Sequence, residues 1–237
     1  SAPTKEMAQT KVEVGTRPLP PLEVVVPVPG QRLQFGQLSN VGMVRSNNQD
    51  SILSIVASTT SNDQLPDFGL FIVADGMGGH QAGEVASALV VQSICDFLSR
   101  PALENDVRPH GSLSAKAYRL LAGIEWSNRL VHQASNEHAD YRGMGSTVAA
   151  VCFSEDTLIA ANVGDSPIYL IRSGMINLLS VPHTLQAELP FDAQAPFMSH
   201  ILTRAVGPKS AVEADICELN CFKDDRLVIC SDGLSTK

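Results

Sequence analysis

Basic runs are missing from this chain, and so are paired cysteines and long apolar stretches. Seventeen Lys and Arg stand against 25 Asp and Glu, for a formal net charge of −8. An acidic chain without a cationic cluster is a poor partner for nucleic acid or an anionic membrane surface. No uninterrupted apolar stretch reaches the roughly 18 residues that cross a bilayer, and the opening residues carry no signal-peptide pattern. The five cysteines (Cys95, Cys152, Cys217, Cys221 and Cys230) are odd in number and form no Cys-x-x-Cys pair. A zinc ribbon or disulfide scaffold is therefore not expected, and reduced thiols in a cytoplasmic protein are. No internal repeat is visible. What is present is 44% hydrophobic and 18% charged residues over 237 positions, enough for one sizeable core and too apolar for global disorder.

Five prolines between Pro18 and Pro29 mark residues 1–32 as an extended arm or linker, because proline fixes φ and removes a donor. Val24, Val25 and Val26 are apolar enough to lie along a groove or add an edge strand. The start at Ser1-Ala2, without methionine, reads as a chain cut from or joined to something upstream. The globular pattern begins near Gln34. Apolar, β-branched runs follow at 67–74, 147–153, 157–163, 168–172, 175–179 and 226–230. Ser154-Glu155-Asp156 and Ser173-Gly174 join neighbouring runs and are too short for a crossover helix, so the strands are expected to be antiparallel. Residues 84–99 and 113–137 place apolar side chains three to four apart, as amphipathic helices do, with a polar break at Ser127-Asn128. The expected class is α+β: two packed, mostly antiparallel sheets flanked by helices.

Four aspartates share one context, an apolar strand and a turn, with glycine beside three of them. Asp50 follows Asn47-Asn48-Gln49. Asp75 ends Phe71-Ile72-Val73-Ala74 and precedes Gly76-Met77-Gly78-Gly79. Asp165 follows Gly164, and Asp232 lies between Ser231 and Gly233. Any one Asp-Gly pair is an ordinary turn; four in one small domain suggest carboxylates projected into a common cleft. Hard divalent cations such as Mg²⁺ or Mn²⁺ take such oxygen ligands together with retained waters and phosphate. Gly78 to Gly83 gives the first half of a phosphate-binding loop, but Glu84-Val85 follows where Lys and Ser or Thr are needed.

Seven segments in order resemble the metal-dependent Ser/Thr protein phosphatases of type 2C, also called the PPM family, in its bacterial form. They are Ser39 to Asp50, Val73 to His80, Gly145-Ser146-Thr147, Asn162 to Ser166, His183-Thr184, Leu202 to Gly207, and Ser231 to Leu234. The resemblance implies an α-β-β-α sandwich with a helical layer on each outer face. It implies hydrolysis of phosphoserine or phosphothreonine in proteins by a hydroxide held between two ions, whose charge would lower the water's pKa toward roughly 7. Asp75 would bridge the two ions, with the Gly76 carbonyl and Asp232 as further ligands. Asp165 would serve a third, Asp50 would orient water, and Arg45 would hold the substrate phosphate through its guanidinium fork. Two or three Mg²⁺ or Mn²⁺ ions per domain are implied, with phosphoproteins and an opposing Ser/Thr kinase as partners.

Some residues depart from the family pattern. Gln49 stands where an acid is frequent, Pro167 where Arg is frequent, and Met77 where some relatives place a histidine acid. The flap over 185–200 is short. The family continues past Ser231-Asp232-Gly233-Leu234 to a later Asp-Asn pair and a final strand, whereas this sequence stops at Lys237. The expected organisation is thus an arm over 1–32 and a phosphatase-like domain over 33–237 lacking its C-terminal helix and strand. The alternative is a non-catalytic regulatory or phosphoprotein-binding module, since the later metal aspartate is missing.

Overall fold

Short joins force neighbouring apolar runs to fold back on one another. The computed structural model describes residues 33–42, 46–57, 67–79, 81–101, 113–190 and 195–235. The arm over 1–32, Arg45 and His80 lie outside the described residues. In chain order come β1 (Asp50–Ala57), β2 (Phe68–Met77), α1 (Ala82–Ser99) and α2 (Ala115–Glu137). Next are β3 (Gly145–Ser146), β4 (Val148–Ser154), β5 (Thr157–Val163), β6 (Ile168–Arg172) and β7 (Met175–Leu178). A single turn of helix α3 (Leu185–Glu188), then β8 (Asp215–Asn220), β9 (Arg226–Ile229) and the short α4 (Asp232–Ser235) complete the series.

All pairings are antiparallel. One sheet runs β1-β2-β4-β5-β8 with β3 added against β2, and the other runs β7-β6-β9. Ser173 and Gly174 between β6 and β7 have φ of 51° and 77°, the mirror-turn geometry whose twist matches a hairpin. β4 and β5 explain the layering. Ala150, Cys152, Ile159 and Ala161 face the helices, while Ala149, Val151, Leu158 and Ala160 face Ile168, Leu227 and Ile229 of the second sheet. Both faces of these strands are therefore buried, which is why their sequences read as continuous apolar runs rather than as alternation. Burial also pushes the Cys152 thiol up to about 11.

Three features differ from the sequence expectations. β2 runs on through Asp75 to Met77 because Gly76 and Met77 pair with β3. β1 and β8 are strands that the sequence pattern leaves unmarked, since Ser, Asp, Glu and Asn interrupt them. Among the described residues both long helices pack on the six-stranded sheet, and Met175, Ile176 and Leu178 of the smaller sheet are exposed. α1 is long and apolar enough to span a membrane by composition, but its Ala86, Val90 and Ile94 are core residues.

The polar break in α2 turns out to be continuous helix. Ser114 caps it by accepting from the Ala117 N–H at 3.1 Å. Asn128, though only 1% exposed, accepts from the Gly207 N–H at 2.8 Å and donates to the Lys209 carbonyl at 3.1 Å. His132 Nδ1 donates to the Gly207 carbonyl at 2.9 Å. The helix thereby grips a loop rather than bending. Its neighbour Ser127 is fully buried, and its hydroxyl finds no partner among the described residues. Opposite outcomes are expected from these adjacent positions in urea unfolding. Asn128→Ala costs about 2 kcal/mol by orphaning two backbone groups. Ser127→Ala leaves stability unchanged or raises it by about 1 kcal/mol, since an unsatisfied hydroxyl is removed and alanine favours helix.

Candidate metal centre

Asp75 sits within β2, directly opposite Asp50 of β1. Its peptide is clamped from both sides. The Asp75 N–H donates to Thr147 Oγ1 at 2.9 Å, the Thr147 N–H donates to the Asp75 carbonyl at 2.9 Å, and Ser146 Oγ donates to the same carbonyl at 3.0 Å. Gly76 is required on steric grounds, because a Cβ there would stand 1.9 Å from the Gly83 carbonyl oxygen and 2.8 Å from that of Gln49. The end of β2 can therefore press against the start of α1 only through glycine.

Asp165 follows β5 in a turn that is held as firmly. Gly164 has φ +99°, and a Cβ on it would meet Thr147 Cγ2 at 2.6 Å, so this position is restricted both by conformation and by contact. The Gly164 N–H donates to His183 Nδ1 at 3.0 Å and the His183 N–H returns to the Gly164 carbonyl at 3.0 Å. Since Nδ1 accepts, the ring proton is on Nε2, which donates to Asp215 Oδ2 at 2.6 Å. Arg204 Nη1 donates to the same oxygen at 3.0 Å. Ser166 and Thr147 share a hydroxyl hydrogen bond of 2.7 Å, which ties the Asp165 turn to the Asp75 strand.

Asp232 begins α4 just after β9. Ser231 beside it donates to Asp50 Oδ2 at 2.8 Å, and Asp50 is itself set by an N–H bond to Asn48 Oδ1 at 3.1 Å. The picture of four strand-end aspartates needs correction here. Asp75 lies inside a strand, Asp50 opens one and Asp232 opens a helical turn; only Asp165 sits in a turn after a strand, with Gly164 between.

Asp75, Gly76, Asp165 and Asp232 line one cleft of about 620 Å³, with Gln49, Thr147, His200 and Lys209 also on its wall. Asp50 is not among the lining residues, and Arg45 is outside the described residues. Burial pushes the Asp165 carboxyl above the ordinary carboxylate range; the charge of Asp232 adds to this, while a backbone hydrogen bond and His200 oppose it. Carboxylates that repel across a shared cleft are the donor chemistry a hard dication neutralises. Among the described residues no three carboxylate, imidazole or thiolate groups converge into a close chelate. Spread donors suit an ion that keeps several waters, so the residues present fit Mg²⁺ or Mn²⁺. Thr147, Ser146 and the His183–Asp215 pair are the supporting groups to which the sequence pattern assigned no role. Ser146, Thr147 and His183 lie inside the shared motifs, whereas Asp215 lies outside them all.

A sequence profile of the protein phosphatase 2C family matches residues 44–237. The protein phosphatase PhpP of Streptococcus pneumoniae is 30% identical over 212 residues, 86% of this chain and 79% of that protein. The serine/threonine phosphatase of S. agalactiae superposes with a TM-score of 0.68 at 33% identity, covering 84% of this chain and 79% of its own. The catalytic domain of PstP, solved in complex with two manganese ions, gives a TM-score of 0.62 at 31% identity over 82% of this chain and 75% of its own.

The raised Asp165 sets a pH prediction. Its folded pKa lies above the unfolded one, so the stability it contributes is full below the unfolded pKa and is lost as pH rises through the folded value. In EDTA, Asp165→Asn is expected to melt higher than the parent at neutral pH, with the gap closing toward acid pH, as read by thermal unfolding across a pH series. Sequence and fold agree over most of the molecule: the chain belongs to the protein phosphatase 2C family, metal-dependent enzymes that hydrolyse phosphoserine and phosphothreonine in proteins.

Proposed function

We propose that Asp75, the Gly76 carbonyl and Asp232 hold two divalent cations, Mg²⁺ or Mn²⁺, and that Asp165 serves a third. The observation that carries this reading is the meeting of three aspartates, from β2, the β5 turn and the start of α4, on the wall of one cleft. Ions bound there supply Lewis acidity, drawing charge from the phosphoryl oxygens and making water a stronger acid.

The protein's own groups supply position. Thr147 and Ser146 fix the Asp75 peptide, so its carboxylate projects from a rigid strand rather than a loop. Preorganisation of this kind removes the reorganisation that solvent would otherwise undergo as charge develops. Asp50 acts as a positioning residue, accepting from Ser231 and thereby orienting the turn ahead of Asp232. The cleft is of a size to admit a phosphorylated side chain with its flanking peptide. Arg45 is assigned the substrate phosphate on chemistry alone, since a guanidinium donates two parallel hydrogen bonds to it. Met77, on the cleft wall, has no acidic proton to give the departing serine oxygen, so that proton comes from solvent.

The phosphoester consumed must be made by phosphoryl transfer from a Ser/Thr kinase, and the pair would form a signalling switch. Five free cysteines support a cytoplasmic setting for it. Asp75→Asn is expected to lower Mn²⁺-dependent phosphate release from a phosphoserine peptide by about 10²- to 10³-fold or more, and EDTA to abolish it. Retention of parental turnover by Asp75→Asn would sink the reading.

A further inference from the structure

The charges on the cleft wall are unevenly distributed. Asp75, Asp165 and Asp232 are acidic, His200 is an imidazole, and Lys209 is the one Lys or Arg among the described residues of the wall. No ion pair engages the Lys209 ammonium among the described residues. Its side chain is exposed, but its backbone is pinned. Asn128 of α2 donates to the Lys209 carbonyl at 3.1 Å and accepts from Gly207 at 2.8 Å, while His132 donates to the Gly207 carbonyl at 2.9 Å. Pro208 between them lies against β3, where a Cβ on Gly145 would stand 2.9 Å from Pro208 Cδ. Two elements of the core therefore hold the base of an exposed cation on the wall of an acidic cleft.

We propose that Lys209 is a specificity-determining residue that selects phosphopeptides with an acidic residue beside the phosphorylated Ser or Thr. The inference rests on the phosphatase reading above and extends it to the substrate sequence. A chain of net charge −8 repels an acidic peptide at long range, so an exposed cation at the site of approach has a large relative effect. An ammonium on a flexible stem is a point charge that meets a single carboxylate from many angles; a guanidinium fork is the better match to a planar pair of phosphate oxygens. The phosphoryl group belongs beside the three aspartates, which leaves Lys209 for the neighbouring residue of the peptide.

The test uses two phosphoserine peptides that differ only in Asp or Asn beside the phosphoserine. The ratio of their kcat/KM values is the readout, because any change in the step common to both peptides cancels. The parent is expected to favour the Asp peptide. Lys209→Ala should lower that ratio about two- to five-fold, the range of an exposed ion pair. Lys209→Glu should lower it about ten-fold and shift preference toward a peptide with Lys in the flanking place. A ratio unmoved by Lys209→Glu overturns the proposal, as does an equal fall for both peptides, which would place the ammonium on the phosphoryl group itself. Absence of turnover by the parent with Mn²⁺ would instead overturn the phosphatase reading. In that case the same ratio, read as peptide affinities by fluorescence anisotropy, still decides the role of Lys209.

Discussion

Like charges gathered into a half-buried cleft push one another apart, and the surrounding fold is built to withstand that push. Asp75 does so through its peptide. Both backbone groups of the residue are engaged by the Ser146-Thr147 step at 2.9 to 3.0 Å, so the Asp75 backbone cannot yield to its neighbours without breaking these bonds. Gly76 and Gly164 permit the close approaches that bring this about, one against α1 and the other against Thr147. Asp75 is thus held by the sheet rather than by a loop, which is the arrangement in which a fixed carboxylate is most useful to a cation.

Support for Asp165 is layered behind it. The Thr147–Ser166 pair and the Gly164–His183–Asp215–Arg204 chain are two polar sets joined through the Asp165 turn, and His183 and Thr147 are almost wholly buried. Each neutral hydrogen bond contributes only about 1 kcal/mol net, but leaving a buried member unpaired costs more. Loss of any member is therefore felt by the rest. Asp215, at the start of β8, links the second set to the edge of the six-stranded sheet.

Much of this was legible in the sequence, for reasons particular to each element. Doubly buried β4 and β5 announced themselves as apolar runs, and the two-residue Ser173-Gly174 join fixed their neighbours β6 and β7 as a hairpin. β1 and β8 were hidden because an edge strand carries Ser, Asp or Asn wherever it meets solvent. The Ser127-Asn128 pair looked like an interruption because composition cannot say that a buried amide is answered by backbone 79 residues away. Asp75, Asp165 and Asp232 were visible as a recurring pattern. Which of them stand on the cleft wall, and that Asp50 does not, depended on pairing register and on Ser231. Neither is encoded in local spacing. Lys209 carried no motif at all; only its place beside three carboxylates gives it meaning.

The bond between Ser231 and Asp50 joins residues 181 positions apart. A ribosome delivers the Asp50 end long before the Ser231 end, and contacts of such separation carry a large loop-closure cost. A nascent chain can lay down β1, β2, β4 and β5 while the cleft still lacks one wall and Asp50 lacks its hydroxyl donor. Catalytic competence should then arise only after the Ser231 segment has emerged and packed against β1, so that shorter nascent chains do not strip phosphate from proteins around the polysome.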